Sequence, residues 1–376
     1  MKNYTAIAMR NIELVVLIVV SQIAGSASAQ GLKDAYRNLW RTSVSVNQWQ
    51  VEGEQSGDWP LIVQHFDWVV AENCMKCEVI HPEEGVYDFT LADQFVDKAR
   101  ASGLKVLGHC LVWHSQCAPW FHYDSEGRLV SAEVLKKRLR EHIFTVVNHF
   151  RGRVDAWDVV NEAFLDDGTP RKSLFWQILG TDYIPLAFQY AHEADPTAEL
   201  YYNDYSMNKA VKVDGVCRFF RPLLAQGLPL TAIGMQGHLI LGDSDYLSEY
   251  DHSIASIASL GVPTFFSELD LSVLPNPYGF AGANVSDKFA YRAELDPYTK
   301  GLPLPVAEKA EQFWTDFYRL LLRHEKDILR VGFWCLNDAC SWRNDFPVRG
   351  RTDYATLFDR QSRAKPVVEK LILLAP

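Results

Sequence analysis

Past residue 30, apolar residues alternate between two kinds of segment. Short dense runs at roughly 43–47, 68–72, 105–113, 154–161, 199–204, 233–240, 264–271 and 330–336 read as strands. Between them lie amphipathic stretches such as 91–102, 135–150 and 308–328. In the last, Phe313, Phe317, Leu320, Leu321 and Ile328 recur at three- and four-residue spacings, a helical pattern. Gly103, Gly227 and Gly261 stand just before strands, where a helix is expected to stop.

Eight strands alternating with helices predict an α/β fold, a single closed (β/α)8 TIM barrel, which takes about 250 residues plus loop insertions. A doubly wound open sheet is the alternative, but no G-x-G-x-x-G follows the first strand. No Ser/Pro/Gly linker divides the chain, and the Pro- and Tyr-rich stretch 274–305 reads as an insertion after the seventh strand. Barrel enzymes place their chemistry at the C-terminal ends of the strands, so the strand-end residues are the candidates.

The strand ends are polar. The second carries Glu72, Asn73 and Lys76, and the third His109, Trp113, His114 and Gln116. Asn161 and Glu162 end the fourth, Asn203 and Asp204 the fifth, Gln236 and His238 the sixth. Glu268 and Asp270 end the seventh, and Trp334, Asp338 and Trp342 follow the eighth. Carboxylates, amides, imidazoles and indoles dominate, without the cationic clamps that phosphate needs. The pattern points to a neutral, hydroxyl-rich substrate. Two carboxylates in one cleft, Glu162 and Glu268, can divide glycoside hydrolysis between an acid and a nucleophile or base. His238 is placed to hold Glu268 ionised, and the charge of Glu268 is expected to raise the pKa of Glu162.

Composition narrows the partners. The 376 residues carry a formal charge of −10, which argues against nucleic acid, and the 11 tryptophans include candidates for stacking on sugar rings. Lys2 and Arg10, the apolar run Leu14–Val20 and the small residues Ala27-Ser28-Ala29 resemble a signal peptide spanning 1–29, cleaved after Ala29. The run is short of the roughly 20 residues of a membrane span, so the mature chain is expected to be secreted or periplasmic, free of membrane. Seven cysteines leave at least one unpaired thiol or an interchain bond, with Cys335–Cys340 one candidate short-loop disulfide. Cys74-x-x-Cys77 has no second half-site, so no metal is expected. Asn284-Val285-Ser286 is a glycosylation sequon. Nothing indicates an oligomer, and a monomer is expected.

At these residues the sequence resembles glycoside hydrolase family 10, the retaining endo-β-1,4-xylanases. The resemblance rests on ENCMK (72–76), GHCLVWHSQ (108–116), WDVVNEAF (157–164), YYNDY (201–205), MQGHL (235–239), SELD (267–270), FWCLNDACSW (333–342) and the C-terminal GRTDYATLFDR. It implies a secreted endo-1,4-β-xylanase (EC 3.2.1.8) acting on xylan or xylo-oligosaccharides, with residues 30–376 as the catalytic barrel and no cofactor. It implies Glu162 as acid/base and Glu268 as nucleophile, with Asn161 on the sugar 2-hydroxyl. Gln236 would support Glu162, and His238 and Asp270 would support Glu268. His109, Trp113, Trp334 and Trp342 would wall the sugar at the cleavage point, and Glu72, Asn73, Lys76 and Gln116 would bind the glycone side. The sequence departs from the family pattern at Cys77 (usually Trp), Leu107 (usually Arg), Ser267 (usually Thr) and Cys335-Leu336-Asn337 (usually Gly-Val-Thr).

Overall fold

A computed structural model describes residues 30–55, 57–278 and 288–376. The expected signal segment 1–29 and the sequon at Asn284 lie outside the described residues. The strands are β1 Arg41–Val46, β2 Trp68–Ala71, β3 Lys105–Trp113, β4 Ala156–Asn161, β5 Glu199–Asp204, β6 Ala232–Met235, β7 His238–Ile240, β8 Thr264–Ser272 and β9 Ile328–Phe333. All pairings between them are parallel. The order β6-β5-β4-β3-β2-β1-β9-β8 closes through a β6–β8 pairing, and β7 extends the β8 edge. This is the expected eight-stranded (β/α)8 barrel.

A principal helix follows each barrel strand, with shorter helical turns beside some of them: α1 Asp58–His65, α2 Thr90–Ala101, α3 Ala132–Phe150, α4 Tyr183–Ala194, α5 Ala210–Ala225, α6 Tyr246–Ala258, α7 Leu304–Arg323 and α8 Pro366–Leu374. Their apolar stripes pack on the outward strand residues, with Val44, Val69, Val106, Trp157, Phe266 and Val331 in the same buried layer. Two boundaries differ from the periodicity reading. Helix α7 ends at Arg323, so Ile328 opens β9 instead of completing the helix face. The single strand expected at 233–240 breaks at Gln236-Gly237. Gly237 has φ 81°, and a Cβ there would stand 2.6 Å from Leu269 Cδ2, so only glycine fits the break.

The barrel interior is a second, smaller core of Trp68, Val70, Leu107, Ala156, Tyr201 and Phe265, capped by Trp334 and Cys335. Arg330, fully buried, enters it from β9. Its guanidinium carbon lies 4.4 Å from the Phe265 ring centroid, 5.3 Å from Tyr201 and 5.7 Å from Trp68, an arrangement that favours a cation over aromatic faces. Leu107 shares those three rings. The interior therefore does carry a guanidinium, contributed by β9 and not by β3.

Candidate active site

The chain turns sharply at the end of β4. Glu162 takes a left-handed φ of 57°, which costs a non-glycine residue about 1–3 kcal/mol. Hydrogen bonds offset it: Glu162 N donates to Asn203 O (2.9 Å) and Arg171 Nε donates to Glu162 O (3.0 Å). On the carboxyl itself, Gln236 Nε2 donates to Oε1 at 2.9 Å. His114 Nδ1 stands 4.0 Å from Oε2. Burial, aided by the charges of Arg171 and Lys212, holds His114 at about 3, so it faces Glu162 as a neutral ring. The pKa of Glu162 is raised by burial first and by the Asp204 carboxylate next, with Glu268 adding less. The expected direction holds, but Asp204, which faces Glu162 from the neighbouring strand, outranks the cause expected from the sequence.

Glu268 is held differently. A bulge in β8 between Phe266 and Leu269 lets consecutive residues reach the same side chain on β5. Asn203 Oδ1 accepts from Ser267 Oγ (2.7 Å), while Asn203 Nδ2 donates to Glu268 Oε1 (3.0 Å). His238 bridges two carboxylates, with Nε2 3.1 Å from Glu268 Oε2 and Nδ1 2.9 Å from Asp270 Oδ2. Asp270 also takes two bonds from Arg343 (2.8 and 3.0 Å) and one from Trp342 Nε1 (2.7 Å). Burial would lower the His238 pKa, but Asp270 and Glu268 raise it to about 9, so the ring is an imidazolium at neutral pH. Burial pushes Asp270 up, yet Arg343 and His238 bring it down to about 2. For Glu268 too burial is opposed by His238, and the net shift is downward.

The cleft between the two carboxylates is lined by Asn161, His109, Trp113, Trp334 and Trp342, and on its far side by Glu72, Asn73, Lys76 and Gln116. His109 pairs through Nδ1 with Asp158 Oδ2 (2.9 Å) and meets the Trp334 ring edge-on at 5.5 Å. Lys76 Nζ donates to Asn73 Oδ1 (2.8 Å) and Gln116 Oε1 (2.7 Å), tying β2 to β3. Asn161 Oδ1 accepts from Asn203 Nδ2 (3.1 Å), which leaves the Asn161 amide N–H groups for a ligand. Of the fourteen residues given a role by the resemblance, thirteen line this cleft, and Asp270 stands behind its wall, reaching it through His238 and Trp342. Of the other strand-end candidates, His114, Asn203, Asp204 and Asp338 do not line it.

Other expectations are corrected. All seven cysteines are free. Cys335 and Cys340 form no disulfide; both are free thiols in hydrogen-bond contact with each other, and the Cys340 thiol also contacts Asn337 O at 3.4 Å. Cys77 is buried, with Cys117 Sγ 3.7 Å from its own sulfur. Asn337 is structural, with Nδ2 donating to Asp58 Oδ2 (3.2 Å) and Ser362 Oγ (2.8 Å). Residue reading missed Asn203 as the link between Asn161 and Glu268, Asp158 behind His109, and Arg343 behind Asp270. The strand-end rule had pointed to Asn203; nothing local distinguishes Asp158 or Arg343.

Two buried carboxylates biased in opposite directions, in an amide- and indole-lined cleft at the top of a closed parallel barrel, define a glycoside hydrolase. The chain belongs to Glycosyl hydrolase family 10, whose sequence model matches residues 31–373. It is 42% identical over 343 residues to endo-1,4-beta-xylanase A of Xylanibacter ruminicola, covering 91% of this chain and 93% of the relative. It is 38% identical to endo-1,4-beta-xylanase B of Paenibacillus barcinonensis over 355 residues, 92% and 99% of the two chains. The solved structure of a GH10 endoxylanase from a sugarcane soil metagenome superposes with a TM-score of 0.88 at 37% identity, covering 92% of this chain and all of that one.

Proposed function

We propose that this protein is an endo-1,4-β-xylanase that cleaves internal β-1,4-xylosidic bonds with retention of configuration. The observation that carries the mechanism is the split between the two carboxyl groups. Glu162 is held toward the protonated form and Glu268 toward the ionised form across one cleft. Glu268 attacks the anomeric carbon while Glu162 protonates the departing glycosidic oxygen. Glu162, now a carboxylate, then takes the proton of the water that resolves the covalent glycosyl-enzyme. The Asn161 amide donates to the 2-hydroxyl, a bond that strengthens as the transition state forms. His238 keeps Glu268 charged, Gln236 orients Glu162, and the indoles of Trp113, Trp334 and Trp342 enclose the sugar.

The related xylanases support xylan as the substrate. Comparing reducing-sugar release from xylan and from soluble cellulose tests activity and substrate together. Faster release from cellulose would overturn the substrate, and none from either would overturn the activity. NMR of the first-formed product should show the β-anomer. Export is proposed with it: the mature chain should begin at Gln30 on N-terminal sequencing and sediment as a monomer.

A further inference from the structure

Glu162 sits in a left-handed conformation within a turn, Asn161 to Phe164, whose three successive backbone N–H groups all find acceptors on β5. Glu162 N donates to Asn203 O (2.9 Å), Ala163 N to Tyr202 Oη (3.1 Å) and Phe164 N to Asp204 Oδ2 (3.3 Å). Tyr202 Oη itself donates to Asp204 Oδ2. The other oxygen, Oδ1, accepts from Tyr205 N (2.9 Å) and from Lys212 Nζ (2.8 Å). One carboxylate thus gathers four donors from three places in the chain.

Asp204 and the α5 lysine are both fully buried. Neither lines the cleft between the two glutamates. Lys212 Nζ has Asp166 Oδ1 at 3.9 Å and the Tyr205 ring centroid at 3.4 Å as its further neighbours. Two buried charges are a poor way to gain stability, because an apolar pair of the same volume usually does as well. Their arrangement around one turn calls for a different account.

We propose that Lys212, Asp204 and Tyr202 are positioning residues that hold the acid/base carboxyl of Glu162 at the departing glycosidic oxygen, an assignment that rests on Glu162 being the acid/base. The ammonium donates to Asp204 Oδ1 at 2.8 Å and fixes the carboxylate in the position where it takes all four bonds. Without Lys212, Asp204 loses its ammonium donor, and the carboxylate that accepts from Phe164 N and anchors the left-handed turn is no longer held in place. Lys212 acts through Asp204 and never meets the substrate.

The test compares two substrates. Xylotetraose releases a sugar that must be protonated, whereas a dinitrophenyl β-xylobioside releases a phenolate that departs unaided. Lys212→Met should lower kcat/KM on xylotetraose roughly ten- to a hundredfold, the scale of a displaced general acid, and hardly change it on the aryl substrate. Tyr202→Phe, which removes a single hydroxyl, should give a smaller loss with the same selectivity, and it serves where Lys212→Met does not fold. Equal losses on both substrates, or none on either, would overturn the positioning role. Glu162→Ala is the control. If it fails to separate the substrates, the acid/base reading itself is wrong; if it separates them and the other variants do not, only the positioning role falls.

Discussion

Glu162 and Glu268 are buried almost equally, at 6% and 5% exposure, and each accepts a bond from an uncharged amide. Burial raises the pKa of both, so burial cannot tell them apart. The difference lies in one charged neighbour each. Glu268 faces an imidazolium, His238, which Asp270 and Arg343 hold in place from behind. Glu162 faces a neutral His114 and feels the buried carboxylate of Asp204 from the adjoining strand. Opposite electrostatic biases on the same residue type thus come from neighbours of opposite sign. The neighbours are themselves buried and paired, so solvent screens neither of them strongly.

The comparison can be broken most completely at Glu268, the proposed nucleophile. Glu268→Ala should lower xylan turnover on the order of 10⁵-fold, read as reducing sugar, because it removes the carboxylate proposed to bond the anomeric carbon. Glu162→Ala should cost less, about 10²- to 10⁴-fold on xylan. Added azide should speed breakdown of the glycosyl-enzyme formed from an aryl substrate by standing in for the missing base-activated water. The pH profile sharpens the contrast. In the proposed mechanism activity needs Glu268 ionised and Glu162 protonated. The lowered pKa of Glu268 puts the acid limb of kcat/KM below the usual carboxylate range, and the raised pKa of Glu162 puts the alkaline limb above it. His238→Gln removes what keeps Glu268 charged, so the acid limb should move to higher pH and kcat/KM near that limb should fall about tenfold. An unmoved limb would show that His238 does not set the charge of Glu268.

The smallest effect is on the scaffold that both groups share. A Cβ at Gly234 would lie 2.6 Å from Asn203 Oδ1, the amide that ties Asn161 to Glu268. Gly234→Ala should therefore destabilise the fold by about 1–3 kcal/mol, seen as a lower Tm, and reduce activity beyond the loss of folded protein.

Much of this site is written locally. Alternating apolar runs place Glu162 and Glu268 at strand ends, and a residue leaving a buried strand with its charge has few places to go. The spacing of Glu268 and Asp270 puts both on one side of His238, which the structure bears out in distances. Other features are not local. The break at Gly237, which separates Gln236 toward Glu162 from His238 toward Glu268, looks in sequence like one uninterrupted strand. Arg330 opens the run read as the eighth strand, where nothing local marks its side chain, and it fills the barrel interior among Leu107, Trp68, Tyr201 and Phe265. Cys335 and Cys340 are both free thiols although their side chains meet, so five residues of spacing bring them together without joining them.

The sequence by itself determined the barrel and the pair of carboxylates, because periodicity and strand-end polarity are properties of neighbours along the chain. Tertiary structure alone decided which charge each glutamate meets. Asp204 comes to Glu162 from β5, Lys212 to Asp204 from α5, and Arg343 to Asp270 from beyond β9. These contacts join distant segments, and electrostatic energy depends on distance in space, whatever the separation in sequence.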